Sequence, residues 1–329
     1  MLTRTCLLST LATLSVLLGC AADSMAAAPV QRQNAAPLAL TCDRACLYGV
    51  LDQYLTALSR KDPALVPWGL VVRNSENNVP LPVGDGLWGT ITQLGSYQLK
   101  MADPDSGQVG YFGNVDETGA VSPFVLRLRV EQRKVVEAET LVRRKADDAN
   151  YMADPEFKDK PVLNEMLAPK EQLPRERLIS IADGYFDTLQ LNDGTLFTQF
   201  DEHCDRVENG FRTTNNPDGA RISPIMAMGC EAQFKLGNFR YDDRLRARRY
   251  PLVDVERGLV LASGFIDHAG RLGTYTLTNG KQETSRYRRP HSYYLLELFR
   301  ITPQGKIRQI EAVFMTVPYR TQSAWKDED

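Results

Sequence analysis

The sequence predicts an α+β protein in which one small domain occurs twice. Residues 47–78, LYGVLDQYLTALSRKDPALVPWGLVVRNSENN, return in altered form as residues 178–209, LISIADGYFDTLQLNDGTLFTQFDEHCDRVEN. Aligned without a gap, they match at Asp52/Asp183, Tyr54/Tyr185, Leu58/Leu189 and Asp62/Asp193. The ends of the two copies also correspond, FVLRLRVEQRKVVEAETLV (124–142) with YLLELFRITPQGKIRQIEAVFMTV (294–317). A repeat of this length is a pair of domains rather than a solenoid array. Each copy also reads helices first and antiparallel strands afterwards, the order of an α+β fold.

The elements follow in turn. In the first copy Leu47, Val50, Leu51, Tyr54, Leu55 and Leu58 form a helical stripe, and Asp62-Pro63 opens a second short helix by capping and by the fixed proline φ. Strands are predicted at Gln108–Val115, Ser122–Val130 and Lys134–Val142, with turn residues at Asp116-Glu-Thr-Gly119. In the second copy a helix runs from about Pro174 to Leu191 and ends at Asn192-Asp193-Gly194, and a short helix follows over Leu196–Phe200. A glycine-, asparagine- and proline-rich loop (205–229) leads to a helical or irregular stretch (230–249), then strands at 258–267, 291–302 and 306–317. The predicted division is 1–40 signal and tether, 41–145 first domain, 146–173 linker, 174–320 second domain, and 321–329 C-terminal tail.

Composition narrows the function. The chain is 43% hydrophobic and 24% charged, as in soluble globular proteins. Its net charge of −2 gives no general attraction to nucleic acid, and no nucleic-acid partner is expected. The N-terminus reads as an export signal: Arg4, an apolar run from Cys6 to Leu18, then small residues to Ala28. Two processing routes stay open. Leu17-Leu-Gly-Cys20 resembles a bacterial lipobox, which would make Cys20 a lipid anchor, and Ser24-Met-Ala26 suits ordinary signal cleavage. The expected address is periplasmic, outer-membrane lipoprotein or secreted. In that oxidising setting Cys42, Cys46, Cys204 and Cys230 read as two disulfides, Cys42–Cys46 and Cys204–Cys230, rather than metal ligands. The second would contribute about 3 kcal/mol in the chain-entropy account.

A long amphipathic helix, a short Asp-started helix and a bent sheet ending in KIRQIEAVF resemble the NTF2-like (SnoaL-like) superfamily. The resemblance rests on Ile181–Leu189, Asp193–Phe200, Tyr293–Arg300 and Lys306–Phe314, with weaker counterparts in the first copy. It extends to an uncharacterised group of exported proteins with tandem copies, through Cys204-Asp-Arg-Val-Glu-Asn-Gly210, Cys230, Arg248-Arg-Tyr-Pro-Leu-Val-Asp254 and Phe265-Ile-Asp-His268. It implies two cone-shaped domains, each a bent antiparallel sheet closed by helices around a pocket. The superfamily includes cofactor-free isomerases, cyclases, dehydratases and lyases, together with non-catalytic binding and dimerisation modules, and the fold does not choose among them.

Site candidates come from residues whose chemistry exceeds packing needs. Alternation places Tyr293, Leu295, Glu297, Phe299 and Ile301 on one strand face and Tyr294, Leu296, Leu298 and Arg300 on the other. Both faces are apolar, so Glu297 is expected inside, where an enclosed carboxylate can exchange protons near neutrality; the bland alternative is a carboxylate in solvent or paired with arginine at the seam. The equivalent places in the first copy are read as Arg127 and Glu137, with Glu139 beyond. His268 is a candidate proton acceptor beside Asp267, or else a turn residue. Arg206 and Arg249 are candidate clamps for developing negative charge, with Glu208, Asn209, Tyr250 and Asp267 as ligand contacts. Tyr54 and Tyr185 are read as packing. No metal-ligand spacing and no phosphate or dinucleotide loop occurs, so no cofactor is expected. The expected activity is a cofactor-independent lyase or isomerase acting on a small hydrophobic, aromatic or polyketide-like molecule. The alternatives are a hydrophobic-ligand binder and a structural pseudodimer. A homo-oligomer stays open.

Overall fold

Helix α1 (Arg44–Ser59) starts where the Asp43 carboxylate accepts the Cys46 N–H at 2.9 Å, and its predicted apolar stripe is buried. Asp62 then caps one 3-10 turn, Pro63–Leu65. The computed structural model describes residues 42–147 and 157–325. The export segment, Cys20 and part of the expected linker lie outside these residues. After α1 come β1 (Trp68–Glu76), β2 (Val79–Pro80), α2 (Leu87–Thr90), β3 (Gln93–Asp103), β4 (Gln108–Glu117), β5 (Ala120–Glu131) and β6 (Lys134–Val142). The second half repeats the plan with α3 (Arg175–Leu191), β7 (Phe200–Glu208), β8 (Phe211–Arg212), α4 (Cys230–Leu236), β9 (Arg244–Asp254), β10 (Leu259–His268), β11 (Thr274–Thr276), β12 (Gln282–Thr284), β13 (His291–Ile301) and β14 (Ile307–Val317).

The chain is thus α+β, with two six-stranded sheets of one topology, β2-β1-β6-β5-β4-β3 and β8-β7-β14-β13-β10-β9, and a separate β11–β12 hairpin. The sheets are mixed, not purely antiparallel as the sequence suggested: β1 runs parallel to β6 and β7 to β14. The chain leaves β1 and returns by way of the far edge, β3, so β6 closes against β1 in the same direction. The short helix expected at Leu196–Phe200 does not form. The Asp193 carboxylate holds Thr195 N–H at 2.9 Å, Thr188 Oγ1 accepts Phe197 N–H at 2.8 Å, and Phe200 already belongs to β7. In the stretch read as helical or irregular (230–249), helix α4 forms at the start and β9 takes only the end, from Arg244; Ala247 at φ 48° and shifted register opposite Ser263 break the alternation of β9.

Both expected disulfides form, with Cα–Cα separations of 5.1 Å for Cys42–Cys46 and 5.8 Å for Cys204–Cys230. Such bonds belong to an oxidising compartment. Among the described residues no helix is long and apolar enough to cross a membrane.

Helices α1 and α3 each cover the inner face of one sheet, and the outer faces pack on each other. Met101, Phe112 and Val125 of the first half meet Leu252, Phe265 and Leu296 of the second. Inside this seam lies a buried ionic cluster. Arg127 Nε donates to Glu139 at 2.7 Å, Arg249 bonds Glu139 at 2.5 Å, and the Tyr294 hydroxyl donates to it at 2.6 Å. Burial alone would raise the Glu139 pKa, but Arg249, Arg127 and Tyr294 together hold it at about 2. The expected C-terminal tail is a strap over this cluster. Asn78 binds Gln322 O and Ala324 N, and Trp325, fully buried, donates its indole N–H to Ser75 Oγ at 3.2 Å. The described part of the expected linker is also tied down, through Arg300 Nε to Val162 O at 2.9 Å.

Glu139→Gln should therefore destabilise the protein by about 3 kcal/mol or more, since two buried guanidinium groups lose their shared carboxylate. Glu131→Gln, at the exposed Arg129–Glu131 pair, should cost less than about 1 kcal/mol. Urea denaturation midpoints at pH 7 check both. Because the folded pKa of Glu139 is depressed, its contribution is present above about pH 4.5 and is lost as pH falls toward 2.

Candidate functional site

Strand β13 is buried along its whole length, one face in the seam and the other in the hollow of the second sheet. Tyr293, Leu295, Glu297 and Phe299 share one face by alternation, and this is the face that turns to the hollow. Helix α3 lies across this face and places Tyr185 against Phe299, with ring centroids 4.9 Å apart. Strand β7 contributes Arg206 and Glu208 from the other side. Together they enclose a cavity of about 80 Å³, also lined by Tyr241, Asp242, Tyr287 and Phe314.

Glu297 stands in this cavity and is 3% exposed. Burial raises its pKa, the Glu208 charge adds to the rise, and Tyr185 and Arg206 act in the opposite sense; the result is about 8. Arg206 is held in place from several directions. Its guanidinium reaches Glu208 at 3.2 Å, Gln233 Oε1 at 3.0 Å and Thr213 Oγ1 at 3.3 Å, and packs over the Phe239 ring at 4.8 Å. The arrangement sets a carboxyl that is protonated at neutral pH beside a fixed cation and a second, half-exposed carboxylate.

His268 does not line the cavity. It sits behind Asp242, with Nε2 2.7 Å from Asp242 Oδ1, and its ring stacks on His291 at 4.5 Å. Burial lowers the His291 pKa, and its Nδ1 lies 2.8 Å from Arg289 O. Asp242 is the member of the group that faces the cavity.

Four other candidates lie elsewhere. Arg249 faces the seam and binds Glu139 and Ser263; the bulge at Ala247 shifts it off the inward face. Tyr250 donates to Asp183 on the flank of α3, beside Arg248. Asp267 holds Arg246 at 2.8 Å and Ser292 at 2.6 Å. Asn209, at φ 52°, ties β7 to β14 through Ala312 O and Phe314 N, and Asn77 at φ 53° does the same in the first half with Thr140 O and Val142 N. The asparagine repeated in the two halves is explained by this tie.

The same tie fixes the correspondence between halves. Leu126 pairs with Thr140, and Glu297 with Ala312, so Leu126 stands where Glu297 does. The sequence reading, which put Arg127 there, is off by one because the path from Glu297 to its partner Ala312 is one residue longer than the path from Leu126 to its partner Thr140. Asn74, paired with Ala138, takes the place of Arg206, paired with Ile310. Trp68 and Trp88 pack against Tyr54 at 5.8 and 5.2 Å and leave about 10 Å³. The first half is filled and the second is not. Sequence reasoning missed Tyr185 as a site residue although its partner strand was identified, and it missed Asp242, Tyr241 and Tyr287, which carry no repeat signal.

Glu297 gives a stability signature of its own. Folded protein keeps the proton up to about pH 8, whereas the unfolded chain releases it near 4.5. Between these values the folded state holds more protons, so stability falls as pH rises, by at most about 1.4 kcal/mol per unit from this group, and levels off above 8. Glu297→Gln should remove that slope and denature at higher urea than wild type at pH 8.5. Urea midpoints from pH 5 to 9 measure it, and parallel curves would contradict the assignment.

Residues 171–314 match the family described as a domain of unknown function (DUF8021). No curated protein matches the chain. Among solved structures, a protein of cystatin-like fold and unknown function from Methylobium petroleophilum PM1 aligns with 14% identity and a TM-score of 0.28, covering 41% of this chain and 99% of that one. AclR from Streptomyces galilaeus aligns with 17% identity and a TM-score of 0.26, covering 31% of this chain and 81% of its own. A de novo designed protein with a curved β-sheet aligns with 16% identity and a TM-score of 0.26, covering 30% and 87%.

Proposed function

We propose that the second half is a cofactor-independent proton-transfer site, a lyase or isomerase acting on a small neutral oxygen-bearing molecule, in an exported protein built of two NTF2-like cones. The observation that carries this reading is Glu297, an enclosed carboxyl with a pKa near 8 in a cavity of about 80 Å³. A group poised near neutrality gives up and regains a proton with little driving force lost. In this reading a proton leaves a carbon next to a carbonyl for Asp242, which His268 supports from behind. The proton of Glu297 passes to the enolising or departing oxygen, and Arg206 faces the charge that develops there. Glu208 disfavours an anionic head, hence a neutral ketone, aldehyde or alcohol. Tandem cones are supported by the common strand order and by the helix closing each sheet. The filled first half favours a structural role for that copy, which completes the seam and leaves chemistry to the second.

The test is α-proton exchange of 2-butanone in deuterated water at pH 7, followed by NMR. Wild type should accelerate exchange, and Glu297→Gln and Asp242→Asn should each lower the rate by about 100-fold or more while both disulfides and a cooperative urea transition are retained. Acceleration should decline above about pH 8 as Glu297 loses its proton. No acceleration by wild type, or full activity in Glu297→Gln, would leave a binding module in place of an enzyme.

A further inference from the structure

The cone cavity is small for the molecule the sequence suggested. An apolar cavity of about 150 Å³ is what benzene fills, and about 80 Å³ takes only a few heavy atoms. A second space adjoins it. A groove of about 400 Å³ runs between the loop after β8, helix α4 and the β11–β12 hairpin, with Ile222, Ile225, Met228, Tyr275 and Leu277 along it. Tyr241 lines both the groove and the cavity. At the same junction Arg286 lines the groove and Tyr287 the cavity, and the Tyr241 and Tyr287 rings lie 4.6 Å apart.

The groove is made by two insertions that the first half lacks. Strands β4 and β5 are joined by a tight turn at 118–119, whereas β10 and β13 are separated by residues 269–290, which carry the β11–β12 hairpin. The path from β2 to β3 is the short segment 81–92, whereas β8 to β9 takes residues 213–243. Both insertions lie in the half whose cone is open and neither in the half whose cone is filled. The longer one is bolted to the cavity. Cys230 bonds Cys204 of β7, and Gln233 accepts from Arg206 while donating to Thr213 O and Ile225 O at 2.6 and 2.7 Å.

We infer that the ligand is bipartite, with a small neutral oxygen-bearing head in the cone beside Arg206 and Glu297 and an apolar body, one aromatic ring or a short alkyl chain, in the groove beyond Tyr241. This rests on the proposed function for its head site and adds the substrate class. Exposed Ile222, at 44% of its surface, is a surface the apolar body covers.

The experiment compares 2-butanone, a head alone, with 4-phenyl-2-butanone, which adds a ring, by ligand-observed NMR titration against the full chain. Burying the ring should tighten binding at least about tenfold. Ile222→Asp and Met228→Glu should each reduce the gain to within about threefold of 2-butanone, whose own affinity stays unchanged and reports an intact cone. Equal affinity of the two ketones, or a gain that survives both substitutions, overturns the bipartite ligand and leaves the cone site standing. If neither ketone binds wild type, the head site itself fails and the inference fails with it.

Discussion

The packing of two sheets back to back governs everything else in this protein. A sheet with one face on helices and the other in water would leave Tyr294, Leu296 and Leu298 exposed, and Glu297 would sit one side chain from solvent. The seam removes that water. It does so with apolar contacts and with Glu139, which carries one arginine from each half and a tyrosine hydroxyl. Such a buried cluster contributes less to net stability than its short distances suggest, because desolvation offsets the attraction. Its effect is on register, since only one alignment of the sheets brings Arg249 and Tyr294 onto the same carboxylate. With the seam closed, β13 is buried on both faces and Glu297 titrates far from the usual carboxylate range.

The two halves use one topology for different ends. In the first, a tryptophan from α2 fills the hollow and Leu126 replaces the carboxylate. In the second, the hollow stays open at the cost of packing, and Glu297, Arg206 and Glu208 enter it. Carrying an enclosed carboxyl and a cavity lowers stability. The Cys204–Cys230 disulfide and the strap ending in Trp325 act on the same half or its seam and offset part of that loss.

Much of this was legible from residues alone, and the limits have physical causes. The apolar stripes of α1 and α3 and the alternation of β13 and β14 report burial directly, so these elements and the burial of Glu297 could be read. The disulfide pairs followed from spacing and the expected compartment. Strands at or next to a sheet edge were harder. β1, β7 and β9 are only partly buried, and the bulge at Ala247 breaks the period in β9, so alternation gave no clear signal. Site residues divided in the same way. Arg206 and Glu208 were found because they follow Cys204 in a stretch the expected disulfide holds, and their side chains can clamp charge or bind a polar ligand. Arg249 and Tyr250 were drawn in by local charge density, which cannot distinguish a cavity from a seam, and Asp267 by its place beside His268, although neighbours on a strand point to opposite faces. Asp242 and Tyr241 come from an insertion with no counterpart in the first half, and only the fold brings them to the cavity.

The most direct measurement is the titration of Glu297 itself, by carbon-13 NMR of side-chain carboxyls in wild type with Glu297→Gln as the assignment control. The account requires one carboxyl that moves with a midpoint near pH 8 and vanishes in the variant. A midpoint near 4.5 would mean that water reaches Glu297, and the proposed proton-transfer site would lose its basis.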